Sequence, residues 1–315
     1  MLMRPCVFVH TNHRQLVGAL VSAHSFRRRS RFADRFDVEI INHGDHAFFA
    51  RHEGELYLRA GSKIPWRNDD LQSFTPLRFM PPELMGYEGR ALVVDPDVFA
   101  VADVWPLLSR DMKGSAVLCR VHAGVKRTVR GTYATSVMLL DCARLAHWRT
   151  EKQFDALFAF TRDYQTWMSL GYEDPTTIGA IEDGWNDFDH LGAETRLLHN
   201  TRRMTQPWKT GLQVDFLPVE TFPLFPPFGW LMKARRRLFG DYAFLGRYRR
   251  HPDQRQEALF WALLHESLDD GAVTEPLLRE EMARGHLRPD TFEHLASAPT
   301  VEAVLGEIGR PRAAA

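Results

Sequence analysis

Two aspartates separated by one residue are the most promising chemical feature of the sequence. Asp95 and Asp97 follow an apolar run at residues 91–94, and Pro96 lies between them. Such a run is typical of a strand covered on both faces, and proline, which has no N–H to donate, favours the end of that strand. Because side chains at i and i+2 of an extended segment project the same way, both carboxylates can reach one hard cation. The pattern predicts a metal site; a turn capped by aspartate is the alternative.

A second pair with the same spacing shows that the spacing alone decides little. Asp187 and Asp189 also flank a single residue, but Gly184, Trp185 and Asn186 precede them instead of an apolar strand. We therefore expect this second pair not to bind metal.

Alternating short apolar runs and amphipathic segments must position these groups. Residues 6–10 read as a strand, residues 15–26 as a helix and residues 38–41 as a second strand, which together make a βαβ unit. Further strands are expected at 91–94, 116–121 and 136–140, and helices at 152–170, 254–268 and 291–308. The sequence therefore predicts an α/β fold.

Composition narrows the class of protein. Lys and Arg total 40, as do Asp and Glu, so no global charge points to nucleic acid. The three cysteines, Cys6, Cys119 and Cys142, are far apart within apolar runs, which predicts buried free thiols and a reducing compartment. Neither a signal peptide nor a membrane-spanning run is evident, so we expect a cytoplasmic protein.

The C-terminal third differs in composition from the rest. We predict a domain at 1–215 and a second region at 216–315, which begins with a connector rich in Pro and Phe at 216–230. Residues 231–250 are basic and aromatic, a pattern that suits the surface of an anionic membrane or a solvated face packed on the first domain. No RNA-binding signature accompanies this stretch.

Several motifs together resemble the retaining glycosyltransferases of family 8. They are CVFVHTN, SFTPLRF, ALVVDPDV, SVMLLD and GWNDFDHLGAETRLLHNTRRMTQPWK, and they span residues 6–210. The resemblance implies the GT-A fold, a Rossmann-like mixed sheet flanked by helices, here with a basic helical C-terminal extension. It also implies a nucleotide-sugar donor, UDP-linked in our expectation, a glycan or lipid-linked acceptor, retention of configuration, and Mn2+ or Mg2+.

The same resemblance assigns roles to individual residues. Asp95, Asp97 and His199 match the metal ligands, and Arg78 and Asp95 match positions that contact the donor. Thr11 and Asn12 lie at the nucleoside-binding end of the first strand.

The sequence departs from the family at two places. Gln206 precedes Pro207 and Trp208 where the family has a lysine, so Lys209 or Arg202 would have to contact the diphosphate. Asp174 is followed by Pro175 where the family has Asp-Gln, and it is a candidate to bind sugar hydroxyls or to cap a helix. Asp174 and Lys209 are our catalytic candidates.

Two functions follow from these observations. The first is a metal-dependent glycosyltransferase that uses a nucleotide sugar. The second is a GT-A-like binding or scaffold protein without transfer activity, which acts through its basic C-terminal region.

Overall fold

A computed structural model describes residues 3–121, 133–216, 234, 238–240, 242 and 244–308. The polar segment at 124–132, nearly all of the connector at 216–230, part of the basic stretch at 231–250 and the last residues, 310–315, lie outside the described residues.

The described strands and helices alternate along the first two thirds of the chain, and helices follow. The strands are β1 Cys6–Thr11, β2 Asp37–Asn42, β3 Leu56–Arg59, β4 Ser62–Pro65, β5 Arg90–Val94, β6 Val98–Ala100, β7 Val117–Val121, β8 Tyr133–Asp141, β9 Ile178–Ile181, β10 Asp187–Phe188 and β11 Leu197–His199. The helices are α1 Leu16–Arg29, α2 Ala47–Ala50, α3 Pro81–Leu84, α4 Trp105–Leu108, α5 Thr150–Phe158, α6 Tyr164–Met168, α7 Gln254–Asp269, α8 Glu275–Ala283, α9 Thr291–Ala296 and α10 Val301–Gly306.

A six-stranded mixed sheet forms the centre of the molecule, in the order β2-β1-β5-β8-β7-β9. All its strands run the same way except β8, which is antiparallel to both of its neighbours. The sheet is covered on both faces, since the side chains of β1 and nearly all those of β5 and β8 are buried. The predicted α/β class, a mixed sheet flanked by helices, is therefore confirmed.

A small three-stranded sheet continues the chain beyond β5. Its order is β10-β11-β6, and β6 pairs antiparallel with β11 so that His199 lies opposite Val98. Helix α1 supports β6 from behind, because Ser22 Oγ donates to the Val98 carbonyl at 2.5 Å and Ser25 Oγ accepts from Ala100 N at 2.9 Å. The pairing of β6 with β11 therefore places His199 close to Asp97.

The C-terminal helices share a hydrophobic cluster with the N-terminal part of the chain. Val17 and Val21 of α1 join Trp208 and Phe260 in that cluster. Arg29 Nη2 also donates to Glu266 of α7 at 2.5 Å. Helix α7 thus packs directly on α1, and the domain boundary at residue 215 remains a prediction.

Two of the predicted helices are interrupted. The helix expected at 152–170 is split into α5 and α6, because Phe160 adopts a left-handed backbone (φ 58°) and Asp163 caps α6 by accepting from Thr166 N. The helix expected at 291–308 is split into α9 and α10, and Thr300 caps the second of these. Side-chain capping thus breaks segments whose apolar periodicity is continuous.

The three cysteines are buried free thiols, as expected, and burial raises the pKa of Cys119 to about 12. Among the described residues, no helix is long and apolar enough to cross a membrane.

Candidate functional site

A cavity of about 330 Å³ opens at the edge of the sheet where β1 and β5 end and β8 begins. This volume lies at the lower end of the range of about 300–1,000 Å³ typical of small-molecule sites. The lining residues come from six separate stretches of chain: Gln15, Leu71, Gln72, Phe74, Arg78, Asp95, Asp97, Ala134, Thr135, Ser136, Phe188, His199, Thr201, Arg203 and Gln206.

The three predicted metal ligands converge in this cavity. One ligand atom each from Asp95, Asp97 and His199 lies within 4.8 Å of the others. Backbone hydrogen bonds fix the turn that carries the carboxylates: Asp95 N donates to Ser136 O, and Asn200 N donates to Asp97 O, each at 3.0 Å. The cluster therefore depends on the pairing of β5 with β8 and of β6 with β11.

Asp95 is held ionised by a guanidinium. Arg78 Nε donates to Asp95 Oδ1 at 2.9 Å and Arg78 Nη2 donates to Oδ2, while Arg78 Nη1 donates to Thr135 Oγ1 at 2.9 Å. The fully buried His10 approaches Asp95 Oδ1 to 2.9 Å, in an alignment poor for a hydrogen bond. Burial alone would raise the pKa of Asp95, but Arg78 and then His10 hold it well below its usual range.

His199 is oriented by an amide. Its Nδ1 lies 2.9 Å from Asn186 Oδ1, and Asn186 Nδ2 donates to Ser136 Oγ at 3.0 Å. In this arrangement Nδ1 carries the proton, and the lone pair of Nε2 faces Asp97 Oδ1 at 3.3 Å. Histidine ligands of metals are commonly fixed by such a hydrogen bond on the far nitrogen.

An imidazole lone pair and a carboxylate oxygen at this distance repel each other unless a cation lies between them. A proton on Nε2 is one solution: burial lowers the pKa of His199, but Asp97 and then Asp95 outweigh burial and raise it. A divalent ion is the other solution, because two carboxylates and one imidazole are suitable ligands for it. The donor set therefore fits a divalent cation.

Gln206 occupies the position of the missing lysine, and it holds Asp97. Its Nε2 donates to Asp97 Oδ2 at 3.2 Å, and its Oε1 accepts from Gln15 Nε2 at 3.0 Å. This neutral side chain orients Asp97 but brings no positive charge into the cavity.

Thr11 and Asn12 lie at the expected edge but do not line the cavity. Both are fully buried. Asn12 Nδ2 donates to Asp70 O at 3.0 Å and Leu71 O at 3.2 Å, and Thr11 Oγ1 donates to Asn12 O. Their side chains hold the loop that contributes Leu71 to the cavity, so any effect on a nucleoside is indirect in this arrangement.

Asp174 lies at the opposite end of the strands from the cavity, and its assignment as a catalytic residue remains a prediction. It directly precedes the turn that leads into β9, and β9 runs parallel to β7, which in turn runs in the same direction as β5. The start of β9 is therefore far from the end of β5. Asp174 is exposed and caps the turn at Pro175–Thr177 by accepting from Thr176 N at 2.9 Å, the capping role that the sequence also allowed.

Lys209 is turned away from the cavity as well. It is fully buried, and its Nζ donates to Asp215 Oδ2 at 2.5 Å. Tyr248 Oη donates to the other oxygen of Asp215, and Arg14 Nη1 lies 3.4 Å from Oδ2. Burial would raise the pKa of Asp215, yet Lys209 leads a set of donors that lowers it. The assignment of Lys209 to catalysis or to the diphosphate is not supported by this geometry.

The carboxylates of the second aspartate pair accept hydrogen bonds from nearby threonines. Asp187 Oδ2 accepts from Thr195 Oγ1 at 2.6 Å, and Asp189 accepts from Thr201 Oγ1 and lies 3.7 Å from His251. Neither carboxylate joins the metal cluster identified among the described residues.

Sequence reasoning missed two residues of the site. Asn186 was noted only as the residue before the second aspartate pair, and Arg203 lies next to Arg202, which was considered for the diphosphate. Only the pairing of β10 with β11 shows that Asn186 lies beside His199. The sequence alone does not show which of the two adjacent arginines points into the cavity.

Several solved glycosyltransferase structures resemble the chain weakly. The galactosyltransferase LgtC, in complex with donor and acceptor sugar analogues, shares 14% identity over 65% of this chain and 89% of its own, with a TM-score of 0.45. The apo form of GlyE from Streptococcus pneumoniae TIGR4 shares 14% over 66% of this chain and 56% of its own, also at 0.45. Mouse xyloside xylosyltransferase 1, in its apo form, shares 11% over 64% of this chain and 98% of its own, at 0.41.

Likeness at this level decides neither the activity nor the family of the chain. No protein-family model matches the sequence, and no curated protein matches it.

Proposed function

We propose that the protein is a metal-dependent glycosyltransferase of GT-A type, related to family 8, that transfers a sugar from a UDP-linked donor. The observation that carries the proposal is the convergence of Asp95, Asp97 and His199 in one cavity, with Nε2 of His199 3.3 Å from Asp97 Oδ1. Glycan or lipid-linked acceptors and retention of configuration belong to the proposal through the sequence resemblance.

Each residue of the site has a task that its contacts support. Arg78 keeps Asp95 ionised, Gln206 orients Asp97, and Asn186 fixes the tautomer of His199. Bound Mn2+ or Mg2+ would neutralise the charge that grows on the departing diphosphate. The half-enclosed cavity would keep the sugar away from bulk water while an acceptor hydroxyl enters.

Ligand-induced stabilisation tests the proposal. A ligand that binds only the folded state at a hundredfold excess over its Kd stabilises it by about 2.7 kcal/mol, or a Tm rise of about 4 °C. We expect UDP with Mn2+ to raise Tm more than the two separate increments combined, and Asp97→Asn to remove that excess. Asp187→Asn, from the second pair, is the matched control and should keep it. If Asp97→Asn kept the excess, the metal would be wrongly placed.

A binding or scaffold protein without transfer is the second candidate. It is favoured by the absence of Asp174 and Lys209 from the cavity, since no catalytic candidate from the sequence remains near the metal ligands. Nucleotide binding without any release of sugar or transfer in purified protein would support it.

Contact with an anionic membrane through residues 231–250 is a further part of the proposal. Leu238, Phe239 and Phe244 are strongly exposed, and Arg249 and Arg250, which are also exposed, follow them. Sedimentation with anionic but not with neutral liposomes is the expected result, and equal recovery with both would remove this part.

A further inference from the structure

One guanidinium in the cavity has no task in the proposed metal site. Arg203 lines the cavity together with Asp97 and His199. Among the described residues, no carboxylate forms an ion pair with it and no oxygen accepts a hydrogen bond from its side chain; its recorded contact is with the ring face of Phe216, 5.7 Å from the centroid. Its N–H donors are therefore available to a ligand.

The other basic groups nearby are already engaged. Arg78 is bound by both oxygens of Asp95, Lys209 is buried against Asp215, and Arg202 is exposed and lies 3.8 Å from Asp189. Gln206 brings no charge. Arg203 is thus the cation of the cavity that the described residues leave without an acidic partner.

A second arginine lies in the same neighbourhood. Arg59, at the end of β3, is half-buried, sits 4.9 Å from the ring centroid of Tyr164, and donates to Tyr57 Oη at 3.3 Å. It forms no ion pair with a described carboxylate. Burial is the main cause that lowers the pKa of Arg203; Tyr164, Asp70 and Asp97 oppose it, and repulsion from Arg59 adds to it.

A half-buried guanidinium that forms no ion pair is unfavourable unless an anion binds to it. A guanidinium is suited to that task, since its planar fork of N–H groups matches phosphate and carboxylate oxygens in two parallel hydrogen bonds.

We infer that Arg203 forms an anion subsite beside the metal-ligand cluster, which binds a phosphoryl or carboxylate group of a substrate. The inference rests on the proposed function for the identity of that substrate. The anion has two sources: the diphosphate of the donor, or an acidic group on the acceptor.

Calorimetric titration of four proteins tests the subsite: wild type, Arg203→Ala, Arg203→Lys and Arg202→Ala. The neighbouring Arg202→Ala removes the same charge at an exposed position and is the matched control. The probes are UDP and uridine, each with Mn2+, and then inorganic phosphate and glucuronate titrated into protein already loaded with UDP and Mn2+. The Tm of each variant is measured alongside, so that a folding defect is recognised.

If the anion is the donor diphosphate, Arg203→Ala weakens UDP about ten- to a hundredfold and leaves uridine unchanged. If it is an acceptor acid, Arg203→Ala keeps the wild-type affinity for UDP and weakens phosphate or glucuronate instead. Arg203→Lys keeps the charge but loses the fork, so it should fall between wild type and Arg203→Ala. Arg202→Ala should match wild type in every titration.

The inference is overturned if a folded Arg203→Ala binds every probe as wild type does, or if Arg202→Ala loses as much affinity. Failure of the proposed function looks different: wild type would show no Mn2+-dependent binding of UDP. The phosphate and glucuronate titrations on unloaded protein would then decide the subsite alone.

Discussion

Replacing Lys209 by methionine separates a structural lysine from one that binds phosphate. The side chain is fully buried and its Nζ lies 2.5 Å from Asp215, which has only 11% of its side chain exposed. Methionine fills a similar volume but leaves the carboxylate without its closest cation. Tyr248 and Arg14 still donate to Asp215 or lie near it, so the loss should be at the lower end of that expected for a broken buried pair.

The expected loss is about 3 kcal/mol of unfolding free energy, or a Tm decrease of about 4–5 °C. Thermal and urea unfolding measure it. Lys152→Met is the matched control, because Lys152 is exposed on α5 and the same substitution should change stability by less than about 0.5 kcal/mol. Well below the lowered Tm, the affinity of Lys209→Met for UDP with Mn2+ should equal that of wild type.

The opposite pattern would refute this reasoning. A Tm equal to that of wild type together with a tenfold weaker affinity for UDP would show that Lys209 reaches the diphosphate, as its position in the sequence suggested.

Three further predictions concern the metal site. Asn186→Ala should weaken Mn2+ binding about ten- to a hundredfold, because the ring of His199 loses the partner that fixes its tautomer. The Mn2+ affinity is measured by titration followed by electron paramagnetic resonance, and an unchanged affinity would contradict this role of Asn186. The pKa of His199 is raised above 6.5 in the folded protein, so protonation of its ring stabilises the metal-free fold. This stabilisation is complete below pH 6.5, and it is lost as the pH rises through the folded-state pKa. Since Mn2+ needs the neutral ring, the Tm rise caused by Mn2+ should grow over the same pH window, and a rise independent of pH would argue against His199 as a ligand. Gly18→Ala would place a Cβ 2.9 Å from the carbonyl oxygen of Pro96, the residue between the two aspartates, so it should destabilise the protein by about 1–3 kcal/mol. In the control Gly306→Ala the new Cβ meets nothing within 4 Å, so this variant should be neutral or stabilising. Equal effects of the two variants in thermal unfolding would refute the contact.

Local sequence patterns were sufficient for the first βαβ unit and for the strand before Asp95. The βαβ unit joins strands that are consecutive in the chain and adjacent in the sheet. The strand before Asp95 is marked by its own apolar run, although its partners β1 and β8 are distant in sequence. His199 was found through a resemblance, since spacing alone cannot bring it to Asp97.

Three features depend on strand direction and side-chain direction, which the sequence pattern does not contain. Asp174 lies at the end of the sheet opposite to the cavity because β9 runs parallel to β7. Lys209 turns inward because Asp215, six residues later, is buried with it, a pairing that charge spacing could have suggested. Asn186 acquires its role only through the pairing of β10 with β11.

Release of nucleotide from a panel of sugar nucleotides, measured on purified protein with Mn2+, tests the central claim most directly. The proposed function predicts release from at least one UDP-sugar that is abolished by a chelator and by Asp97→Asn but not by Asp187→Asn. A wild-type protein that releases no nucleotide from any donor, with acceptors supplied, and shows no Mn2+-dependent binding of UDP would contradict it.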